Sequence, residues 1–169
     1  MIRNYGVSLC LLLLLAAIAP ARAQSPGGPA TVSVQGEVQH PLMLGAADLA
    51  KMKRVEAAVK DRTGEAHTYS GVSLLDILAK AGATMGKDLR GENMTKYLLV
   101  KSGDGYGVVF SLAELDSTFS DKLVFLADQM DGKPLPPGKG PFRIIAPGEK
   151  KPARWIWEVR TITVAFAKE

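Results

Sequence analysis

Apolar and polar positions alternate over short distances along most of this chain, and the pattern predicts short strands with a few helices set among them. Thr31-Val32-Ser33-Val34-Gln35-Gly36 alternates as a half-buried strand does, and His40-Pro41 then turns the chain. Leu44 to Met52 reads as a short helix, and Val55 to Val59 as a strand running into the Arg62-Thr63-Gly64 turn. Ser73 precedes Asp76 by three residues, a capping pair, after which Leu74, Ile77, Leu78 and Ala81 fall on one helical face that Gly82 ends. Thr84 to Thr95 is polar and carries Gly, so it reads as a loop with room for one helical turn.

Tyr97 to Lys101 and Tyr106 to Phe110 read as strands joined by Ser102-Gly103-Asp104-Gly105, a tight corner that needs positive φ. Ser111 and Glu114 form a capping box that starts a brief helix. Leu123 to Ala127, Phe142 to Ala146 and Arg154 to Phe166 supply the remaining strands. With no recurring βαβ alternation and no internal repeat, the expected class is α+β with a mixed, mostly antiparallel sheet. In the last strand Trp155, Trp157 and Val159 share one parity, whereas Ile162, Val164 and Phe166 have the other. Either a bulge lies between Glu158 and Thr161 or the strand is covered on both faces.

The first residues have a different character. Arg3, the apolar run from Val7 to Ile18 and Ala21-Arg22-Ala23 have the order of a secretory signal, with cleavage expected after Ala23. The apolar run is short for a membrane span, and Gln24 to Ala30, rich in Gly and Pro, reads as a flexible leader. Residues 31–169 are then one domain, exported and soluble, with no direct membrane insertion. The whole chain carries a formal charge of +4, part of it from Arg3 and Arg22, which gives no argument for nucleic acid. The single cysteine, Cys10, lies in the signal, so no disulfide is expected in the exported protein.

Few residues have the spacing that catalysis or metal binding requires. The two histidines, His40 and His67, stand far apart without a second ligand beside them, and read as turn or surface residues. No serine occupies a G-x-S-x-G elbow, and Gly103-Asp104-Gly105 joins two strands rather than opening a helix, so neither a nucleophile nor a phosphate loop is indicated. No catalytic residue and no metal ligand is assigned.

The stretch Leu123 to Val164 has an order of elements that carries more. Its LADQMDGKPLP, then GPFR, then APG and RW, together with Gly71-Val72-Ser73-Leu74-Leu75 and Asp104-Gly105-Tyr106, resemble the molybdopterin-binding domain of the sulfite oxidase family. The resemblance extends over most of residues 31–164 and implies that family's fold. In the catalytic members a cysteine upstream of the G-V-x-L segment holds molybdenum. Here Val55 to Tyr69 has no cysteine, Ser70 is the nearest chemical relative, and a hydroxyl is a poor substitute for a soft thiolate. The resemblance reaches small periplasmic pterin-binding proteins of the same fold that signal to a membrane-bound cyclic-di-GMP enzyme. It therefore implies a periplasmic, non-catalytic receptor for a pterin, such as a tetrahydropterin, whose partner is the periplasmic domain of a membrane signalling protein. The alternatives are a molybdopterin-dependent oxidoreductase and a domain kept as a protein-binding module.

A pterin needs an aromatic face, a cation for its acceptor edge and a carboxylate for its paired N–H donors. The expected set is Trp155 for the face, Arg154 or Arg143 for the acceptors, and Asp104 or Asp128 for the donors, with Tyr106 nearby. Trp157, flanked by Ile156 and Val159, is expected in the core, although which tryptophan faces the ligand stays open. Arg143 is the more diagnostic arginine, because a cation between Phe142 and Ile144 in a strand must reach solvent, a carboxylate or a ligand. Lys133, Lys139, Lys150 and Lys151 read as a solvated rim, or as partners of a phosphate-bearing ligand.

Overall fold

The computed structural model describes residues 30–60 and 63–167. The signal and most of the leader expected at the N-terminus lie outside those residues. In chain order the elements are β1 (Val32–Gly36), β2 (Leu42–Leu44), α1 (Ala46–Leu49), β3 (Val55–Lys60), β4 (Ala66–Ser73) and α2 (Leu74–Ala81). Two 3-10 turns follow, Gly86–Asp88 and Gly91–Thr95, then β5 (Lys96–Ser102), β6 (Gly107–Ser111) and α3 (Leu112–Leu115). The last elements are β7 (Phe125–Met130), β8 (Lys133–Pro134), β9 (Arg143–Ile145), a 3-10 turn at Pro152–Arg154, and β10 (Val159–Phe166). The class is α+β, as expected. Among the described residues no helix is long and apolar enough to cross a membrane.

Two sheets share the core. The first has the order β2-β1-β10-β5-β6, in which β10 runs parallel to β1 and antiparallel to β5. Its buried face follows from register: Val34, Ile162, Val100 and Val108 stand opposite one another across four strands, and Val164, Leu98 and Phe110 form the next row. The second sheet runs β3-β4-β7-β8, with β9 also paired to β7. Phe125, Leu126, Ala127 and Asp128 are all buried, because β7 is covered on both faces and so reads as a continuous apolar run rather than an alternation.

The glycine of the Gly-Val-Ser-Leu segment has a packing reason. At Gly71 the β4–β7 register slips, and a Cβ there would lie 2.0 Å from the carbonyl oxygen of Leu126 and 2.6 Å from the Cα of Ala127. The helix that follows is capped as its sequence predicts. Ser73 Oγ accepts from the amide of Asp76, and Gly82 closes the helix in the left-handed region at φ 69°.

Three expectations about elements change. Leu42–Leu44 is a strand against β1, and the predicted helix shrinks to α1; Leu44 is inward in that pairing and Leu49 in the helix. Ala66–Ser73 is a full strand that the sequence pattern did not mark. The strand expected from Arg154 to Phe166 begins only at Val159. Before it the chain makes a 3-10 turn and an irregular segment tied to the β9 region by Ile144 N donating to Ile156 O and Val159 N to Phe142 O. Glu158 adopts φ 49°, which no extended strand contains, and the β10–β5 register then slips between Val159 and Thr161. The parity break in the sequence is thus a bulge.

Candidate functional site

The β5–β6 turn, the proline-rich loop before β9, the start of β9 and the segment 152–158 enclose a cavity of about 650 Å³. Asp104, Tyr106, Lys139, Arg143, Trp155 and Trp157 line it, together with Glu158. That volume is within the range of about 300–1,000 Å³ in which compact ligands bind.

Arg143 forms its inner wall. Opposite Ala127 in the ladder, it is 6% exposed, and its Nη1 donates to the hydroxyl of Tyr69 at 2.5 Å. Its guanidinium carbon lies 3.2 Å from the ring centroid of Trp157, 5.1 Å from that of Tyr69 and 5.7 Å from that of Trp155. A cation shielded from water gains about 2 kcal/mol or more over an aromatic face, which offsets part of its desolvation.

Trp155, expected to face the ligand, and Trp157, expected in the core, both line the cavity. Trp155 is 6% exposed, and its indole N–H donates to the carbonyl of Ala146 at 3.0 Å. Trp157 is only partly buried, with the ammonium of Lys139 5.5 Å from its centroid. Of the two, Trp157 has the more accessible ring. Residues 155–158, expected as strand, are irregular.

Asp104 supplies the rim carboxylate. Its Oδ1 accepts from the Ser102 hydroxyl and from the amide of Tyr106 at 3.0 Å, in a turn that Gly105 permits at φ 90°. The Ser102 hydroxyl first, and then the Tyr106 amide, hold this carboxyl below the usual aspartate range, so it is charged at neutral pH. Among the described residues Oδ2 accepts no hydrogen bond. The Tyr106 hydroxyl donates to the carbonyl of Ala153 at 3.1 Å and joins the hairpin turn to the opposite wall.

Two expected residues lie elsewhere. Arg154 turns its guanidinium to Glu114, Glu149 and the carbonyl of Val109, over the ring of Phe110, and does not line the cavity. Burial alone would lower its proton affinity; the bonds to Glu114 and Glu149 outweigh that and raise it. Asp128 is inside the second sheet, where both its oxygens accept from Arg54, at 2.6 and 3.1 Å. Arg54 also donates to Ser70, whose hydroxyl donates to Gln129. Ser70, the nearest relative of the family's thiolate, is therefore committed to an interior network and is 6% exposed.

The cavity brings together groups that suit a pterin ring: an indole, a fixed cation and an ionised rim carboxylate. A molybdenum ion needs more. The one cysteine of the sequence is Cys10, and among the described residues no cluster of three His, Cys, Asp or Glu side chains could hold a metal. The residues present fit the pterin and do not fit its metal through a thiolate.

Comparison with known proteins gives the class. Residues 58–168 match the family model described as the oxidoreductase molybdopterin binding domain. The chain belongs to this sulfite oxidase-like domain family. Among solved structures it is similar in fold to the sulfane dehydrogenase SoxCD from Paracoccus pantotrophus, with a TM-score of 0.62 and 21% sequence identity over 80% of this chain. The match spans 38% of that protein's chain. No curated protein sequence matches.

Proposed function

We propose that this protein is a periplasmic, non-catalytic receptor for a reduced pterin, relaying pterin levels to a membrane-bound cyclic-di-GMP enzyme. The observation that carries the reading is a cavity of about 650 Å³ lined by Arg143, Trp157 and Asp104, in a molybdopterin-family domain without the thiolate. In this reading the ring system lies against Trp157, Arg143 faces its acceptor edge, and Asp104 Oδ2 accepts its N–H donors. Export rests on the signal-like residues 1–23, and the signalling partner rests on resemblance to the small periplasmic pterin-binding proteins.

Titration of the purified protein with a tetrahydropterin, followed by tryptophan fluorescence, tests the ligand. Saturable quenching is expected. Near-stoichiometric molybdenum in protein exported from a molybdenum-proficient host would instead establish the oxidoreductase reading. Neither quenching nor metal, in a protein with an intact circular dichroism spectrum, would leave the protein-binding module as the better account.

A further inference from the structure

A second concavity lies at the far end of the β5–β6 hairpin and shares no residue with the cavity. The hairpin turn at Ser102 to Tyr106 borders the cavity, whereas the 3-10 turns before Lys96 and the segment after Ser111 border this groove. Seven residues of strand separate the two ends, roughly 20 Å.

The groove, of about 480 Å³, has Leu89 at its floor, Met94 and Phe119 on its walls, and Lys87 and Arg90 among its lining. Met94 is 42% and Phe119 51% exposed, two of the few large apolar side chains on the described surface. One buried carboxylate ties Gly86 to Thr118 across the groove: Asp116, 2% exposed, accepts from the amide of Gly86 on one side and from the amide and hydroxyl of Thr118 on the other. The shape is thus set before any occupant arrives, which lowers the ordering cost of binding.

The charges define what would fit. Lys87 and Arg90 form no ion pair among the described residues, and no acidic residue lines the groove; their neighbours Asp88 and Glu92 do not face it. Most of the lining is exposed, so a small molecule here would keep much of its surface in water, whereas an extended chain would cross the groove and bury successive side chains. We propose that this groove is a docking site for an acidic, apolar segment of a partner protein. Its leucine- or phenylalanine-like side chains enter between Met94 and Phe119, and its carboxylates meet Lys87 and Arg90. The proposal stands independently of the pterin.

The probe is a fluorescein-labelled peptide of alternating glutamate and leucine, about twelve residues and roughly 40 Å when extended, followed by anisotropy with the full exported protein. Saturable binding is expected, weakened about tenfold or more by Phe119→Ser, an exposed position where folding is preserved. Lys87→Glu with Arg90→Glu should abolish it and create binding to the matching lysine–leucine peptide, while tetrahydropterin titration stays as in the parent. No saturable binding, or binding indifferent to both variants, overturns the proposal. So does a concentration-dependent dimer, or sedimentation with anionic vesicles, that Phe119→Ser abolishes; these outcomes would assign the face to a second copy or to a membrane surface.

Discussion

The guanidinium of Arg143 and the ring of Trp157 are stacked at 3.2 Å, and this pair joins the second sheet to the irregular segment before β10. One partner is buried and fixed by Tyr69; the other keeps an accessible ring. Arg143→Met should therefore separate binding from folding. The change leaves the buried Tyr69 hydroxyl without this donor, at an expected cost of about 1–3 kcal/mol, with the protein still folded. Tetrahydropterin affinity should fall about tenfold or more, since a charged hydrogen bond contributes about 1.5–3 kcal/mol. Equal quenching curves for parent and variant would remove Arg143 from the site.

The two tryptophans should respond in opposite ways. Trp155→Ala empties a buried position and leaves the Ala146 carbonyl without its indole donor, at an expected cost of about 3–5 kcal/mol in urea unfolding. Trp157→Ala should cost only about 1–2 kcal/mol, because its ring is already part-solvated, and should abolish saturable pterin binding. The reverse pattern would return the stacking role to Trp155.

Arg54 and Asp128 link β7 to the chain just before β3. Arg54→Met leaves Asp128, 8% exposed, without its bidentate donor, and should destabilise by about 2–4 kcal/mol. Arg54→Met with Asp128→Leu should recover much of that, since no buried charge remains. Pterin affinity should not change in either variant, because neither residue lines the cavity.

What the chain's pattern revealed and what it concealed divide along sequence distance. Ser73 with Asp76 and Gly82, Ser111 with Glu114, and the parity break before Ile162 are local signals, and each appears in the structure as a cap, a capping box and a bulge. β2 was illegible because three residues give no period. β4 was illegible because its sequence, Ala66 to Ser73, mixes polar and small residues whose burial depends on β3 and β7. Asp128 and Arg154 could not be removed from the candidate site by sequence, since their partners Arg54 and Glu114 are 74 and 40 residues away. The irregular backbone of residues 155–158 was illegible because Glu158 takes a left-handed conformation that nothing in its side chain announces.

Among the glycines of the family-like segments, Gly71 has the tightest backbone contact. Gly71→Ala would force a Cβ against backbone rather than against a movable side chain, so relief requires β4 and β7 to part. Overpacking of this kind costs about 3 kcal/mol or more. A cost below about 1 kcal/mol in thermal unfolding would show that the β4–β7 crossing is looser than its register implies.

Acid should act through Asp116, the carboxylate that ties Gly86 to Thr118 across the groove. Burial pushes its proton affinity up, but the Thr118 hydroxyl and the amides of Gly86 and Thr118 more than offset this and leave it below the ordinary aspartate value. A carboxyl whose folded value is depressed contributes stability that is complete above its unfolded value, about 3.9, and that disappears as pH falls through the folded value. At pH 7 Asp116→Asn should be destabilised by about 2 kcal/mol, through loss of charged hydrogen bonds. The difference from the parent should stay constant above the ordinary aspartate value and shrink as pH falls below it. Urea unfolding of both proteins on either side of that value checks this; a difference that persists undiminished below it would mean that packing, not the charge, is what Asp116 contributes.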